Sequence, residues 1–229
     1  MTSTTSQPET TNLLRTYRRA DVVVFYKTKE SFGGLSNMAS GYPLLVNGVR
    51  ILTSEALYQA CRFPHLPDVQ RKIIGQRSPM TAKMKSKPHR KESRPDWYSV
   101  RNNVMRWCLR VKLAQNHEEF GRLLLVTGDR AIVEQSRKDD YWGAKVVTDD
   151  ILTGQNILGR LLMELRELLK NDTDCSLKIV RPLNISDFLL LGKPIETVKS
   201  RFRRTQRSRT SPARQAKRVT TVTPRELPW

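Results

Sequence analysis

Short apolar runs along the chain predict β-strands. The continuous run Val22–Phe25 is typical of a buried strand. Leu44-Leu45-Val46 and Val49-Arg50-Ile51 flank an Asn-Gly dipeptide, which suits a type I′ turn, and they therefore predict a β-hairpin. Residues 131–134 and 177–180 are two further strand candidates. Together these segments predict a small β-sheet.

Apolar residues spaced three or four positions apart predict that most of the remaining chain is helical. The clearest helix runs from 156 to 170, where six leucines supply a broad apolar face. Ser78-Pro79 fits an N-cap followed by proline at the first helical position. In chain order, the predicted helices lie near 54–63 and 68–76, from Ser78-Pro79 onward, and near 97–115, 117–127 and 156–170.

The helix near 54–63 carries the most informative polar residue, Glu55. At about 100° per residue, Glu55, Gln59 and Arg62 form a narrow polar stripe opposite an apolar side. Such a stripe fits either a solvent-exposed face or the wall of a polar cleft. Spacing alone favours the solvent-exposed face, because the helix dipole stabilises a carboxylate in a first turn.

Composition adds a strong positive charge to this picture. The 229 residues carry a formal net charge of +19, and Lys199–Trp229 contain ten basic residues and one acid. This charge favours anionic partners such as nucleic acid, nucleotides or acidic membranes. Residues 1–12 are mostly polar and, like the segment from Lys199 onward, are predicted to be disordered.

Cysteine and histidine usage indicates a reduced, intracellular protein. The three cysteines have no close spacing, and His65, His89 and His117 are scattered. We therefore expect no metal, no cofactor and a cytoplasmic location, or a nuclear one in a eukaryote. Apolar runs are too short to span a bilayer, and no signal peptide is recognised.

Three further segments suit a binding or catalytic site. Residues 138–143 suit the rim of a ligand-binding site, where Trp142 would stack on a base or ribose, or a turn with a packed tryptophan. Residues 153–156 fit a phosphate site at a helix start, or an ordinary helix cap. The basic run Lys83–Arg94 fits a solvated surface, a phosphate contact or, through repulsion among its charges, a nucleophilic amine.

Taken in order, these segments resemble the NADAR family, also called YbiA-like, over about residues 22–170. The motifs that carry the resemblance are Phe25-Tyr26, Gly34-Leu35-Ser36-Asn37, Thr53-Ser54-Glu55-Ala56-Leu57-Tyr58-Gln59-Ala60, Ser78-Pro79, Asp96-Trp97, Val104-Met105, Lys138-Asp139-Asp140-Tyr141-Trp142-Gly143 and Gly154-Gln155-Asn156-Ile157-Leu158-Gly159. The resemblance implies a single α+β domain, rich in helix with a small β-sheet, that cleaves N-glycosidic bonds.

The resemblance also implies roles for individual residues. Glu55 and Asp139 are the implied catalytic carboxylates. A lysine-linked Schiff base has been proposed for one branch of the family, and Lys83 is the candidate here, with Lys85 next. The residues implied to contact substrate, by stacking or by holding phosphate, are Ser36, Asn37, Tyr58, Lys85, Trp142, Gly143 and Asn156.

Two activities are associated with the family, and both break a bond from ribose C1′ to nitrogen. One removes ADP-ribose from guanine bases of nucleic acid, which reverses DNA ADP-ribosylation and counters DarT-type toxins. The other hydrolyses phosphorylated intermediates of riboflavin biosynthesis. The chain departs from the YbiA branch in two places. Residues 33–35, Gly-Gly-Leu, precede Ser36-Asn37 where that branch has an acid and an aromatic, and residues 82–85, Ala-Lys-Met-Lys, stand where it tends to arginine and glycine. We therefore expect the first activity, with ADP-ribosylated DNA as the partner.

These expectations divide the chain into four parts. They are a flexible N-terminal segment (1–20), a catalytic domain (21–172), a C-terminal extension (173–198) and a basic disordered arm (199–229). The arm is expected to contact nucleic-acid phosphates and to add affinity without chemistry; a solubilising tail is the alternative. A non-enzymatic reader of ADP-ribose or nucleic acid is the rival from another class of protein.

Overall fold

A computed structural model describes residues 14–200 and shows the mixed α/β architecture with a small sheet that the sequence predicts. The helices are α1 (Ser54–Ala60), α2 (Pro67–Ile74), α3 (Pro79–Ser86), α4 (Trp97–Gln115), α5 (His117–Val126) and α6 (Ile157–Lys170). The strands are β1 (Arg15–Arg18), β2 (Val22–Phe25), β3 (Leu44–Val46), β4 (Val49–Ile51), β5 (Ala131–Ser136), β6 (Ala144–Thr148), β7 (Ile151–Gly154), β8 (Ile179–Val180), β9 (Leu189–Leu190), β10 (Lys193–Pro194) and β11 (Val198–Lys199).

Five strands form one mixed sheet, in the order β1-β7-β6-β5-β2. Strands β2, β5 and β6 run parallel, whereas β7 and β1 are antiparallel to their neighbours. Because β2 and β5 are adjacent, the chain between them, with α1 to α5, is one long crossover connection. This topology brings the carboxyl end of β5 close to helices that are distant in sequence.

The local elements follow the sequence patterns closely. The predicted hairpin is confirmed: Val46 pairs with Val49, and Asn47 and Gly48 have φ angles of 49° and 75°. These two positive φ values are those of a type I′ turn, which Asn-Gly adopts at low steric cost. The α4 bounds coincide with the predicted 97–115. In the described part of the chain, no helix is long and apolar enough to cross a membrane.

Helix α1 lies at the centre of the helical layer. It contacts α2, α3 and α4, and each of its residues, polar ones included, is buried. Leu57 and Ala60 of α1 are fully buried together with Phe63 and Trp107, and burial of such apolar area is the main source of stability in a domain of this kind. The polar residues of α1 are therefore enclosed by the same packing.

The N-terminal boundary differs from the prediction. Residues 15–18 were expected to be flexible, but they form β1, which pairs antiparallel with β7 from Arg15 opposite Gly154 to Arg18 opposite Ile151. The Tyr17 ring is buried against Leu152 and Val133. A single apolar residue among basic ones gives too weak an alternation for a strand to be predicted from sequence. The N-terminal prediction for residues 1–13 lies outside the described residues.

The C-terminal extension packs on the domain. Trp107 Nε1 donates to the Arg181 carbonyl at 3.0 Å, and its ring meets Phe188 edge-to-face at 4.9 Å between centroids. Gln70 is fully buried and bonds to the backbone of Leu189 and Leu191. Residues 177–180, predicted as one strand, divide into a 3-10 turn and the two-residue β8. The basic arm predicted from 199 lies, beyond residue 200, outside the described residues.

Candidate active site

Glu55 is a buried carboxylate, so the solvent-exposed face favoured by its spacing is excluded. Thr53 caps α1 by accepting a hydrogen bond from Ala56 N at 3.2 Å, which places Glu55 in the first turn. Glu55 is 5% exposed. Its oxygens accept hydrogen bonds from Asn37 Nδ2 at 2.8 Å and from Gln59 Nε2 at 2.9 Å. Buried carboxylates need such donors, and here the two amides fix the orientation of the group.

A buried lysine, Lys112, holds the loop that carries Asn37. Lys112 of α4 donates from Nζ to the carbonyl oxygens of Gly34 at 2.6 Å and Ser36 at 3.0 Å, and it lies against two aromatic rings. Burial lowers the pKa of Lys112 well below its usual value. The Asn37 carbonyl in turn accepts hydrogen bonds from Glu55 N and Ser54 Oγ. The loop and α1 are therefore locked together.

Helix α3 joins the site through Ser86. Its hydroxyl lies 2.7 Å from both Gln59 Oε1 and the Lys83 carbonyl. The same glutamine that holds Glu55 thus fixes the backbone of α3 at Lys83. The side chains of Lys83 and Lys85 are both exposed, but it is the charge of Lys83 that acts on the acid of β5 described next.

Glu134 of β5 is a site residue that the sequence patterns missed. It is half-buried, and its pKa is raised to about 7, chiefly by burial and then by the negative charges of Asp139 and Glu55, while Lys83 lowers it. The three predicted catalytic residues therefore all act on this one acid. A carboxyl group with a pKa near 7 exchanges protons readily at neutral pH. Its only sequence signal was an acid directly after the apolar run of a buried strand.

Asn156 positions Glu134 through hydrogen bonds to the backbone of β5. Its Oδ1 accepts a hydrogen bond from Glu134 N at 3.1 Å, and its Nδ2 donates to the Ile132 carbonyl at 2.8 Å. The approach requires a glycine at 159, because a Cβ there would lie 2.1 Å from the Ile132 oxygen. Asn156 is fully buried, with a left-handed φ of 50°. In the structure Asn156 therefore has a positioning role, and its contact with substrate phosphate stays a prediction.

Asp139 organises the loop that follows β5. Its Oδ1 accepts hydrogen bonds from Tyr141 N at 3.0 Å and Trp142 N at 2.9 Å, and its own N–H donates to Ser136 Oγ at 3.0 Å. Gly143 closes the loop so tightly that a Cβ would lie 2.5 Å from the Glu134 carbonyl. The loop thus presents Asp139 beside Glu134 and leaves Gly143 a packing role.

An aromatic wall connects this loop to α1. Trp142 lies edge-on to Tyr58, with centroids 5.6 Å apart, and Tyr58 contacts Trp97 at 5.1 Å. Trp142 is half-buried, so part of its surface is accessible, and the stacking of a base on it stays a prediction. Tyr58 is 5% exposed, and burial is the main cause of its raised pKa. The buried Tyr58 ring therefore packs against the inner side of Trp142.

Ser36 precedes the Asn37 that holds Glu55, whereas two surface cavities lie apart from the carboxylates. Ser36 is buried, and its hydroxyl accepts a hydrogen bond from Met38 N at 3.1 Å. Surface cavities of about 470 and 660 Å³ lie beside α5 and between α4 and the C-terminal extension, and neither is lined by Glu55 or Glu134. In residues 14–200, no group of three or more His, Cys, Asp or Glu side chains is arranged to hold a metal ion.

Glu134→Gln is expected to make folding stability less dependent on pH. Because the pKa of Glu134 rises from 4.5 to about 7 on folding, ionising it costs up to about 3 kcal/mol of stability. Below pH 4.5 the acid is protonated in both states and the cost is absent; it grows as pH rises to 7. Denaturant unfolding from pH 4.5 to 8 should therefore show the variant gaining stability relative to the parent. Glu118→Gln, at an exposed position on α5, is the control and should leave the pH dependence of the parent unchanged. If the free energy of unfolding of Glu134→Gln varies with pH as that of Glu118→Gln does, the prediction is wrong.

The fold and the site define a class of protein: a helix-rich α/β domain in which acids, a lysine and an aromatic wall suit hydrolysis at a sugar carbon. Residues 24–170 match the NADAR domain. The chain belongs to the NADAR domain family, which confirms the resemblance and its extent.

Known relatives support this assignment. The chain is 40% identical to N-glycosidase YbiA of Escherichia coli (strain K12) over 149 residues, which is 65% of this chain and 88% of that protein. It is 35% identical over 150 residues to a riboflavin biosynthesis protein of Vibrio vulnificus (strain YJ016), covering 65% of this chain and 38% of that one. The NMR structure of the E. coli protein YbiA matches with a TM-score of 0.58 and 37% identity, over 66% of this chain and 87% of that chain. The relatives that match along most of their length are named N-glycosidases, a class of hydrolase.

Proposed function

We propose that this protein is an N-glycosidase that removes ADP-ribose from guanine bases of DNA. The observation that carries the proposal is the set of charges around Glu134, whose pKa of about 7 reflects burial together with Asp139, Glu55 and Lys83. Breaking a bond from ribose C1′ to nitrogen requires a proton for the leaving nitrogen and negative charge near C1′. This set supplies both.

The acids divide these tasks according to their surroundings. Glu134 exchanges protons, because its pKa lies close to neutral pH. Glu55 is held between two amide N–H donors and presents negative charge towards C1′, where positive charge develops. Asp139 sets the loop and adds charge beside Glu134. Trp142 stacks on the base or the sugar.

Lys83 acts as the nucleophile in a covalent route. Protonation of the ring oxygen breaks the C1′–O4′ bond and leaves a C1′ iminium to the base nitrogen. Lys83 Nζ gives a proton to a neighbouring carboxylate and adds to C1′, and the C1′–nitrogen bond to the base breaks as that nitrogen takes a proton. Water then adds to the lysine iminium and releases lysine. The net reaction consumes one water and yields the unmodified base and free ADP-ribose.

Two features favour a DNA substrate. The chain departs from the YbiA branch at residues 33–35 and 82–85. The basic side chains of α3 and the following 3-10 turn, Lys83, Lys85, Lys87, Arg90 and Lys91, are exposed beside the site, as contact with nucleic-acid phosphates requires. In this proposal the protein reverses DNA ADP-ribosylation and counters a DarT-type toxin, and the basic segment beyond residue 200 adds affinity for DNA.

A second candidate is hydrolysis of a phosphorylated intermediate of riboflavin biosynthesis. It is favoured by the similarity to proteins named for riboflavin biosynthesis in Vibrio vulnificus and in Zea mays, the latter 31% identical over 159 residues. The bond that breaks, from ribose C1′ to nitrogen, is the same, and so is the acid-base set that would break it.

Parallel assays on the two substrates test the proposal. The protein is incubated with guanine-ADP-ribosylated DNA and, separately, with the phosphorylated riboflavin intermediate, and the released sugar phosphate is measured by mass spectrometry. We expect ADP-ribose from the DNA at a rate well above that of the second reaction. The reverse preference supports the second candidate. Binding of modified DNA without any release supports the non-enzymatic reader and contradicts the proposed function.

A further inference from the structure

Three arginines lie together next to the aromatic wall, and we call them the arginine cluster: Arg62, Arg90 and Arg101. Ser93 Oγ links the first two: it accepts a hydrogen bond from Arg62 Nε at 2.6 Å and donates one to the Arg90 carbonyl at 2.6 Å. The pKa of Arg62 is lowered, chiefly by burial and in part by the charges of Arg90 and Arg101. Within residues 14–200, none of the three forms an ion pair with a carboxylate. Like charges held together without a counter-ion indicate a site for an anion.

Aromatic rings hold the cluster in place. The Arg62 guanidinium lies 5.2 Å from the Trp97 ring centre, and its Nε donates to Ser93 Oγ at 2.6 Å. Arg101 lies 3.7 Å from the Tyr141 ring centre, and its buried Nε has no hydrogen-bond partner in the described part of the chain. Stacking orients a guanidinium without using its hydrogen-bond donors, so the terminal Nη groups of Arg62 and Arg101 are left to bind a ligand.

Structural arginines elsewhere in the chain are bonded differently. Arg94 is 4% exposed, and it bonds to both carboxylate oxygens of Asp96 and to the Ser186 carbonyl. Arg166, equally buried, bonds to Glu167 and to the Arg130 carbonyl. The arginine cluster lacks partners of this kind and is therefore not explained by packing alone.

The cluster adjoins the catalytic carboxylate. Tyr58, on the same helix as Glu55, packs against Trp97, on which Arg62 lies, and against Trp142, which contacts the Tyr141 ring under Arg101. Resting on the proposed function, we propose that Arg62, Arg90 and Arg101 bind the diphosphate of the ADP-ribosyl group. The ribose C1′ then reaches Glu55, while Trp142 contacts the base. This site takes the phosphate role that the sequence had assigned to Ser36, Asn37 and Asn156, all buried in the structure.

Calorimetric binding of inorganic pyrophosphate and of ADP-ribose tests this site without turnover. Arg62→Gln and Arg101→Gln are each expected to weaken both ligands by about 10-fold or more, as loss of a charge-assisted hydrogen bond does. Arg101→Lys, which keeps the charge, should recover part of the affinity. Arg106→Gln on the same helix, which breaks the ion pair to Glu164, is the matched control and should change neither affinity. Thermal unfolding of each variant confirms that the fold is retained.

Steady-state kinetics and the binding of unmodified single-stranded DNA complete the test. On the proposed substrate, the arginine variants should raise KM more than they lower kcat. Unchanged pyrophosphate affinity in folded Arg62→Gln and Arg101→Gln overturns the proposal, as does a loss confined to unmodified single-stranded DNA. If the arginines bind pyrophosphate but the parent releases no ADP-ribose from DNA, the anion site stands and the proposed function fails.

Discussion

Replacing Glu55 by glutamine is expected to lower kcat by about 10³-fold while the fold and substrate binding are retained. The magnitude is that of losing a positioned catalytic carboxylate. Glutamine has the same shape, and the Asn37 amide can turn to present its oxygen, which has no partner among the described residues. The substitution therefore removes the charge near C1′ with little change in packing. Single-turnover release of ADP-ribose from modified DNA measures the effect.

The control for Glu55→Gln is Glu164→Gln, which removes a carboxylate from the exposed ion pair with Arg106. Exposed pairs of this kind contribute only about 0–1 kcal/mol, so its kcat and stability should match those of the parent. Equal activity of Glu55→Gln and the parent would show that Glu55 is a structural acid only. Loss of activity together with loss of binding would assign it to substrate holding.

The spacing of apolar residues along the chain predicts most of its long helices and its hairpin. The hairpin at 44–51, the helix at 97–115 and the leucine-rich helix near 156–170 lie where the patterns predict. Each depends on contacts within one segment: a turn dipeptide, a cap or a repeating apolar face. Strands β6 and β7 were not predicted, because exposed valines and mixed polar residues there give no alternating pattern.

The site depended on contacts that no local pattern contains. Glu55 has the spacing of a solvent-facing residue, and only the packing of α1 against its neighbours buries it. Glu134 belongs to the same site because β5 returns beside β2 after the connection that contains α1 to α5. Family resemblance pointed to Glu55, Asp139 and Lys83, whose charges all act on Glu134. It did not reveal that the Asn156 amide bonds to the backbone of β5. A motif marks which residues matter and not which atoms they contact.

Lys83 is expected to be trapped as a sugar adduct when borohydride is added during turnover. Reduction converts the iminium between Lys83 Nζ and C1′ into a stable secondary amine, which peptide mass spectrometry locates. Lys83→Arg keeps the charge of α3 but removes the nucleophile, so kcat should fall by about 10³-fold. Lys72→Arg is the control, since Lys72 is an exposed lysine on α2 outside the proposed site; it should change kcat by less than about 3-fold, as for a surface residue.

The two active-site variants together separate a covalent from a direct reaction. A missing adduct together with full activity of Lys83→Arg excludes the lysine route, and an adduct on Lys85 reassigns the nucleophile. If Lys83→Arg is active and Glu55→Gln is inactive, water attacks C1′ directly and the carboxylates alone carry the chemistry. If both variants are inactive but Glu55→Gln still forms an adduct with added ADP-ribose, Glu55 acts in breaking the bond to the base. The decisive bond change would then be assigned to one residue by experiment.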